Sequence, residues 1–360
     1  MKIPALVEID LDFWTGRRVL VTGHTGFKGA WLSLWLQSLG ADVTGLARGM
    51  PSRPSLYELA GIGAHMRQLA VDVRSHNAVR DALRDARPEV VLHLAAQPVV
   101  RRSLRDPVST YEVNVMGTVN ILDAVRHVGS HVLAVVVVTS DKCYQNSHED
   151  SRRFVEDDPL GGADPYSSSK ACAELLSSAY RRSFFYNDDS PQLATARAGN
   201  VLGGGDWGED RLVPDSVRAV DSGQPLKLRN PHAVRPWQHV LSPLAGYLRL
   251  AQALAQGPPG QTARAWNFGP PAGDARAASW IVERLAELWD GQLVWQLDDA
   301  VNPPEARHLA LNSSAAEQLL GWHPVCRLQD ALELVVEWHR AHRSGEDMRQ
   351  VSLSQIARIG

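Results

Sequence analysis

The segment that decides the fold is Arg17 to Gly29, which reads RRVLVTGHTGFKG. Its apolar half, Arg17 to Thr22, predicts a strand, and the helical spacing of the apolar residues in Phe27 to Leu39 predicts an amphipathic helix. The turn between them carries three evenly spaced glycines: Gly23, Gly26 and Gly29. Glycines there permit a tight turn and a close approach of the backbone to a pyrophosphate at the helix N-terminus. An ordinary strand-to-helix turn is the alternative, and a dinucleotide site is the better prediction.

Further apolar runs alternate with helical patterns as far as residue 198. They are Asp42 to Ala47, Gln68 to Val71, Val90 to Ala95, Val132 to Thr139 and Leu193 to Ala198. The valine run after Val132 shows no polar alternation, which is typical of a central parallel strand covered on both faces. This order predicts an α/β fold, a Rossmann-type doubly wound parallel sheet. Such sheets bind ligands at the carboxyl ends of their strands.

Beyond about residue 200 the chain becomes rich in glycine, proline and arginine, with short helical patterns between turns. This change predicts a smaller mixed α/β lobe over the ligand edge of the sheet. We place a dinucleotide-binding domain at residues 12–198 and a substrate lobe at 199–345, partly interleaved with the first.

Composition excludes several classes of protein. The 360 residues are 44% hydrophobic and 21% charged with a net charge of -3, so nothing attracts the whole chain to nucleic acid or an anionic membrane. The N-terminus lacks the apolar centre of a signal peptide, and no stretch is long enough to span a bilayer. The three cysteines fit no metal-site spacing. We therefore expect a cytoplasmic protein with reduced thiols and no metal.

The chemistry is indicated by Tyr166 and Lys170, in the string YSSSK. Four residues separate them, so on a helix they share one face. A lysine ammonium near a phenol favours the phenolate, which lets a tyrosine act as a base below its free pKa of about 10. With the upstream glycine turn, the pair predicts a nicotinamide-dependent enzyme acting on an alcohol or ketone.

A second candidate site follows the valine strand, in Thr139-Ser140-Asp141-Lys142. A hydroxyl, a carboxylic acid and a cation suit a site that holds a hydroxyl and moves protons. Strand alternation predicts that Ser140 and Lys142 point to one side and Asp141 to the other, although loop geometry can override it. The position upstream of Tyr166 favours a site over a solvated strand end.

Selectivity between NAD and NADP is open. The second strand ends in Arg48-Gly49, where an acid would bind the ribose 2′-hydroxyl of NAD. Arg48 could face a 2′-phosphate, stack on adenine or be a solvated surface charge. Asp72, after the third strand, could accept a hydrogen bond from adenine or serve as a helix N-cap.

These residues, with His93 to Gln97 and Asn114, resemble the extended short-chain dehydrogenase/reductase family of the nucleotide-sugar type, over residues 12–345. Within it the chain is most similar to the subfamily that dehydrates CDP-glucose. The strings that carry this likeness are 22–29, 96–98, 139–144, 199–207, 235–240 and 266–270.

The resemblance implies a hydro-lyase that makes a 4-keto-6-deoxy sugar for deoxysugar and O-antigen-type polysaccharide synthesis. Tyr166 would take the 4-hydroxyl proton while C4 gives hydride to the cofactor, and Ser140 would hold that hydroxyl. Lys170 would lower the pKa of Tyr166 and bind the nicotinamide ribose. Asp141 would protonate the departing C6 hydroxide before hydride returns to C6. Relatives acting on dTDP-glucose carry Glu, the C5 base, where this chain has Lys142, so Lys142 is either that base or only orients the sugar.

The resemblance also implies the binding residues. NAD, or NADP in view of Arg48, would contact Gly23, Thr25, Gly26, Phe27, Lys28, Gly29, Arg48, Asp72, Val73, Leu94, Ala95, Ala96, Gln97, Asn114, Thr139, Tyr166 and Lys170. CDP-glucose would contact Gln97, Asn200, Arg211, Leu212 and Arg235, with the diphosphate on Asn200 and Arg235.

Other functions stay open from the sequence: another 4,6-dehydratase, a sugar 4-epimerase, or a cofactor-binding regulator without catalysis. An epimerase needs no acid at C6, so Asp141 favours a dehydratase. Helices at 107–127 and 165–185 could pair across a two-fold axis, giving a homodimer or homotetramer. The dehydratase interpretation requires Asp141 and Tyr166 to face one pocket.

Overall fold

The computed structural model describes residues 9–128, 131–146, 152–298 and 308–359. Its strands are β1 Arg18–Thr22, β2 Asp42–Ala47, β3 Arg67–Ala70, β4 Val90–His93, β5 Ala134–Val138, β6 Gln192–Ala198, β7 Val201–Leu202, β8 Leu226–Leu228, β9 Val234–Pro236, β10 Gln238–His239, β11 Ala265–Phe268, β12 Ala275–Ala277 and β13 Trp295–Leu297. The six strands predicted from sequence agree with β1 to β6 within two residues at each end.

The helices follow the same numbering in chain order. They are α1 Leu11–Trp14, α2 Phe27–Ser38, α3 Leu56–Leu59, α4 His76–Ala86, α5 Val100–Arg105, α6 Pro107–Tyr111, α7 Gly117–Val128, α8 Pro165–Ser183, α9 Leu212–Ser222, α10 Leu241–Gln256, α11 Ala278–Leu288, α12 Ser314–Leu320, α13 Leu328–Arg343 and α14 Met348–Ile359. Among the described residues, none of these helices combines the length and apolar character needed to cross a bilayer.

Seven strands form one parallel sheet in the order β3-β2-β1-β4-β5-β6-β11. The predicted doubly wound Rossmann-type sheet is confirmed. The chain reverses its direction of winding between β1 and β4, whose carboxyl ends therefore lie side by side. An open α/β sheet binds ligands at this switch point.

The sheet is covered on both faces, as the valine run predicts. In β5, Val136 and Val138 pack into the core that includes α2 and α10, while Val135 and Val137 pack into the core that includes α4 and α7. The prediction of an amphipathic α2 was wrong, because every residue from Gly29 to Leu36 is buried. Helices α10 and α14 cover the side of α2 that the sheet leaves open.

The C-terminal part builds a second core and also contributes to the sheet. Helices α9, α11 and α13 pack around Trp289 and Leu332 in a separate apolar cluster. Strand β11, far along the chain, pairs with β6 as the last strand of the central sheet. Because residues after 199 thus belong to both regions, the division at 198/199 stays a prediction.

Candidate active site

A cavity of about 1010 Å³ runs along the carboxyl edge of the sheet, between the sheet and the C-terminal residues. Every site residue predicted above lines it except Asn114. The lining residues are Gly23, Thr25, Gly26, Phe27, Lys28, Gly29, Arg48, Asp72, Val73, Leu94, Ala95, Ala96, Gln97, Thr139, Ser140, Asp141, Lys142, Tyr166, Lys170, Asn200, Arg211, Leu212 and Arg235. The structure therefore brings together segments that lie up to about two hundred residues apart in sequence.

The glycine turn has the close contacts that only glycine allows. Gly23 has a φ of 73°, and a Cβ on it would lie 2.9 Å from the Cα of Ala95. A Cβ on Gly29 would lie 2.1 Å from the carbonyl oxygen of Gly23. Gly26 is the N-cap of α2 and supplies no side chain to the free amides of the first turn. Those amides and the partial positive charge of the helix N-terminus fit a dinucleotide pyrophosphate.

At the far end of the cavity, Arg48 and Asp72 lie together. The Arg48 Nη1 lies 3.8 Å from a carboxylate oxygen of Asp72, which Arg74 also binds at 2.7 Å. Hydrogen bonds from Arg74 hold the pKa of Asp72 below its usual value. The suggestion that Asp72 is a helix N-cap was wrong, because Ser75 is the N-cap of α4 and Asp72 instead closes a turn onto the amide of Arg74.

Asn114 lies behind the cavity wall rather than in it. Its side-chain oxygen accepts a hydrogen bond from the amide of Gln97 (2.8 Å), and its nitrogen donates to the Gln97 carbonyl (3.1 Å) and to Ser169 (2.9 Å). It occupies a π-helical turn between α6 and α7, a distortion frequent at functional sites. Asn114 therefore clamps the loop after β4 to the helix that carries Tyr166 and Lys170.

The four residues that follow β5, Thr139 to Lys142, all line the cavity. The strand ends at Val138, and residues 141–143 form a 3₁₀ turn in which the Ser140 hydroxyl accepts a hydrogen bond from the Lys142 amide at 3.2 Å. This turn cancels the strand alternation that would have sent Asp141 away from Ser140. The requirement that Asp141 and Tyr166 line one cavity is met.

Asp141 is buried as an acid. It is 2% exposed, the Ser140 hydroxyl donates to its Oδ1 at 2.9 Å, and its Oδ2 has no hydrogen-bond partner among the described residues. Burial raises the pKa of Asp141, and the nearby cations Lys142, Arg235 and Lys28 oppose that rise. A buried carboxyl with a raised pKa keeps its proton at pH values where an exposed aspartate is ionised.

Tyr166 is the second residue of α8 and lies in its first turn. Asp164 caps this helix and Pro165 fills its first position. The Tyr166 amide donates to the hydroxyl of Ser103 at 3.1 Å. Burial raises the pKa of the Tyr166 phenol to about 12, and a hydrogen bond with Ser140 opposes the rise.

Lys170 lies one turn further along α8 and is 6% exposed. Its ammonium donates to the carbonyl of Val138 at 3.1 Å. Burial lowers the pKa of Lys170 to about 8. Lys170 is therefore bound to the strand end, and the pKa of Tyr166 is raised by burial rather than lowered as the lysine pairing predicted.

Lys28 adds an unexpected charge to this group. It lies in the first turn of α2, where a cation opposes the helix dipole. Its ammonium lies 6.0 Å from the ring centre of Tyr247, whose buried hydroxyl has no hydrogen-bond partner among the described residues. Burial lowers the pKa of Lys28 to about 8, and Asp141 opposes this shift. The Lys28 ammonium thus interacts electrostatically with Asp141, although the sequence analysis assigned Lys28 to the cofactor alone.

The two arginines predicted to bind the substrate lie near Tyr166 and Asp141. Arg211 pairs with Asp206 at 2.9 Å and acts electrostatically on Tyr166. Arg235 is 5% exposed and acts on Asp141. Sequence reasoning missed five more cations on the cavity wall: Arg101, Arg102, Arg105, Lys227 and Arg229. The signal for the first three was the string RRSLR at residues 101–105, which follows the string 96–98 after two valines.

A phenol, a carboxylic acid, a hydroxyl and amines therefore surround one space beside a dinucleotide cradle. Such a site can remove a proton from an alcohol and protonate a leaving group, and a nicotinamide held in the cradle would accept the hydride. The cations on the wall supply charge for an anionic substrate despite the negative net charge of the chain.

Comparison with known proteins places this geometry in context. The family model described as GDP-mannose 4,6 dehydratase matches residues 20–335. CDP-glucose 4,6-dehydratase of Salmonella typhimurium is 47% identical over 354 residues, covering 97% of this chain and 98% of that protein. UDP-glucose 4-epimerase of Thermus thermophilus, solved in complex with NAD, has a TM-score of 0.77 at 26% identity, covering 90% of this chain and 99% of that one. A dTDP-glucose 4,6-dehydratase from Streptomyces venezuelae with NAD bound has a TM-score of 0.77 at 24% identity, covering 92% and 99%.

Proposed function

Because the chain belongs to the GDP-mannose 4,6 dehydratase family, and is an enzyme of nucleotide-sugar 4,6-dehydration, we propose that its substrate is CDP-glucose and its product CDP-4-keto-6-deoxyglucose. The observation that carries the proposal is the buried acid Asp141 in the cavity of Tyr166 and Lys170. A 4-epimerase shares the tyrosine, the lysine and the fold, but it has no leaving hydroxide to protonate. The 47% identity to the Salmonella enzyme supports cytidine as the base.

Each residue has a distinct part in the proposed reaction. Tyr166 removes the proton of the sugar 4-hydroxyl, and Ser140, hydrogen-bonded to Tyr166, holds that hydroxyl. A nicotinamide held beside Tyr166 and Lys170 would supply the hydride acceptor for C4 and the hydride donor for C6, and the base at C5 would return a proton to C5 as C6 receives the hydride. The 4-ketone acidifies the C5 proton, and loss of that proton together with the C6 hydroxyl eliminates water. Asp141 donates the proton that the departing hydroxide needs.

The cofactor is a nicotinamide dinucleotide, and we propose NAD rather than NADP. Arg48, which could have recognised a 2′-phosphate, is directed at Asp72, and the carboxylate of Asp72 is negative because Arg74 lowers its pKa. A carboxylate at this end of the cavity repels a 2′-phosphate and can accept a hydrogen bond from a hydroxyl or an amine.

For the substrate we propose that Arg235 and Asn200 bind the diphosphate, with help from Arg211. All three line the cavity on the side of the C-terminal lobe. Arg211 is also the N-cap of α9, whose first amides face the same space. Arg229 also lines the cavity and is an additional candidate for the diphosphate.

The substrate and cofactor are tested by incubating the enzyme with CDP-, dTDP-, GDP- and UDP-glucose or the corresponding hexoses, with NAD or NADP added. We expect a 4-keto-6-deoxy sugar from CDP-glucose with NAD, identified by mass spectrometry and the absorbance of the enolised ketone. Turnover of another nucleotide sugar at a comparable rate would contradict the cytidine assignment. If the product were an epimer of the substrate without a ketone, the enzyme would be an epimerase and the dehydratase assignment would be wrong.

Lys142 is proposed as the base that removes the C5 proton. Lys142 lines the cavity beside Ser140. It occupies the position at which relatives acting on dTDP-glucose have a glutamate. We expect Lys142→Met to slow solvent deuterium incorporation at C5 of the product by about 10²-fold or more. Lys227→Met, a change of the same type elsewhere on the cavity wall, is the control. If the Lys142→Met enzyme still incorporated solvent deuterium fully at C5, Lys142 would not be the base and would only orient the sugar.

We propose further that the enzyme is at least a homodimer, joined by α6, α7 and α8. These helices pack together and leave apolar side chains exposed: Val108 is 67% exposed and Leu175 is 60% exposed. An isologous contact would bury both patches. Light scattering is expected to give at least twice 39.5 kDa for the natural chain and a lower mass for Leu175→Glu. A monomeric natural chain would contradict the proposal.

We also propose a cytoplasmic location and a place in deoxysugar synthesis for lipopolysaccharide. The cysteines Cys143, Cys172 and Cys326 are unpaired, which fits a reducing compartment. A 4-keto-6-deoxy sugar nucleotide is an activated ketone, so the next reaction must reduce, aminate or epimerise it before transfer to a glycan. Subcellular fractionation of the native organism is expected to recover the chain with soluble markers.

A further inference from the structure

Glu174 is a buried carboxylate that the reaction above does not use. It lies one helical turn after Lys170 in α8 and is 3% exposed. The hydroxyl of Thr139 donates to one of its oxygens. The hydroxyl of Thr195 and the guanidinium of Arg197 each donate to the other oxygen at 2.7 Å. Glu174 therefore joins α8 to the ends of β5 and β6.

Arg197 continues this network on the far side. Its side chain is 4% exposed, and Nη1 donates to the hydroxyl of Tyr144 and to the carbonyl of Glu156, each at 2.8 Å. The Tyr144 hydroxyl in turn donates to Asn267 at 2.7 Å. A charged pair this deep is costly unless its polar atoms are bonded, and here most of them are. Arg197 is the cation that pairs directly with the Glu174 carboxylate.

Lys170 is held by the same strand end. Its ammonium donates to the carbonyl of Val138, the residue directly before Thr139, so adjacent residues of β5 bind Lys170 and Glu174. Asp141 follows two residues after Thr139. The network thus sets the position of the lysine relative to the residues that hold and protonate the substrate.

The groups facing Lys170 come from four elements. Glu174 lies on its own helix, Cys143 on the turn after β5, His93 at the end of β4 and Lys28 in the first turn of α2. Burial raises the pKa of the Cys143 thiol and lowers the pKa of His93 to about 3, so both are neutral at pH 7. The positive charge of Lys28 repels that of Lys170 and so disfavours the ammonium form of Lys170. Of these groups, Glu174 is the one whose charge favours the cationic form of Lys170.

We propose that Glu174, paired with Arg197, is a positioning residue that holds Lys170 as an ammonium at the end of β5. The inference rests on the proposed function, because it assigns Lys170 the part of the cation beside Tyr166. A buried amine without a nearby carboxylate loses its proton readily. Without Glu174, the same burial would leave Lys170 neutral over much of the working pH range.

The chain contains only five lysines, Lys2, Lys28, Lys142, Lys170 and Lys227, so the protonation of Lys170 can be observed directly. Lysine labelled with ¹³C at Cε gives one signal per residue, and Lys170→Arg identifies the signal of Lys170. We expect the Lys170 signal to titrate near pH 8 in the natural enzyme, and at least one pH unit lower in Glu174→Gln. A folded Glu174→Gln variant with unshifted Lys170 would overturn the proposal.

Turnover provides the second readout. If activity needs the ammonium, it falls as pH rises through the Lys170 pKa, so the alkaline limb of the kcat profile moves to lower pH in Glu174→Gln. A one-unit shift means about tenfold lower kcat on that limb. Asp81→Asn removes one exposed acid of α4 and is expected to leave both readouts unchanged. An unmoved limb would overturn the proposal as well.

Glu174→Gln leaves the Arg197 guanidinium buried without its partner and could fail to fold. The double variant Glu174→Gln/Arg197→Met removes both charges. We expect it to restore thermal stability but to keep the lowered titration of Lys170. If Lys170 regained its natural titration in the double variant, the pair would be purely structural and the proposal would fail. If the natural enzyme turned over no nucleotide sugar while Glu174→Gln still shifted Lys170, the proposed function alone would be refuted.

Discussion

Tyr166→Phe is expected to lower kcat for formation of the 4-keto-6-deoxy sugar by about 10²- to 10⁴-fold, the usual contribution of a general base. Tyr166 lines the cavity, is 8% exposed and hydrogen-bonds Ser140 through its hydroxyl, which is all that the substitution removes. The amide contact of Tyr166 with Ser103 and the cap of α8 at Asp164 involve no part of the phenol. The fold and the dinucleotide cradle should therefore survive.

The measurement is steady-state turnover of CDP-glucose, with thermal melting as a check of the fold. Tyr57→Phe is the matched control, because Tyr57 also lines the cavity but bonds through its hydroxyl to Gln68 near the other end of the site. The control should change kcat by only a few-fold. A Tyr166→Phe enzyme within about tenfold of the natural rate would show that another group removes the 4-hydroxyl proton.

Asp141→Asn is expected to block the elimination of water while leaving the preceding oxidation at C4 intact. Oxidation at C4 depends on Tyr166 and Ser140 and should continue, whereas protonation of the C6 hydroxide should fall by about 10²- to 10⁴-fold. The asparagine side chain has nearly the same volume and can still accept a hydrogen bond from Ser140. It cannot supply the carboxylic proton that burial preserves by raising the pKa of Asp141.

The readout is reduction of the quenched mixture with borodeuteride, followed by mass spectrometry. The Asp141→Asn enzyme should yield hexose labelled at C4 with its 6-hydroxyl intact, and the natural enzyme a 6-deoxy sugar. Asp215→Asn, which removes another cavity-wall acid, is the control and should give the natural product. If Asp141→Asn made the 6-deoxy sugar at the natural rate, Asp141 would not be the proton donor.

This prediction has a pH dependence whose sign follows from the raised pKa. Below the pKa of Asp141 the acid is protonated and can protonate hydroxide, so the elimination rate should fall as pH rises through that pKa. Because burial raises the pKa, the fall should occur above the pH at which an exposed aspartate ionises. Asp141→Asn should remove this limb and leave the limb that depends on Lys170.

The sequence predicted the sheet well because its signals are local. An apolar run of five to eight residues between turn residues has few conformations in which it can be buried, so β1 to β6 appear within two residues of their predicted ends. The site residues were found in the same way, since glycine spacing and the Tyr166–Lys170 interval each express one local geometry. Asn114 is the one predicted site residue that does not line the cavity. Its side chain is hydrogen-bonded to Gln97 and Ser169 behind the cavity wall.

Contact between distant segments explains two of the failures, and the end of a strand explains the third. The helix α2 looked amphipathic because a single-chain pattern cannot show that α10 and α14 cover its outer side. The turn at 141–143 reversed the alternation expected for Asp141 because the strand stops at Val138. The sequence suggested no role for Glu174, since Glu174 lies on helix α8 and its partner Arg197 lies on strand β6, 23 residues away.

Spacing along the chain therefore specified a parallel sheet, a glycine cradle and a tyrosine–lysine pair, because steric and periodic constraints act over a few residues. Only the folded chain decided that Lys28, Asp141 and Arg235, from three separate segments, share one buried space with Tyr166. It is this shared burial that sets their charges: removing water raises the pKa of the acid and lowers the pKa of the amines. No local pattern contains that information, because desolvation depends on every segment that closes the cavity.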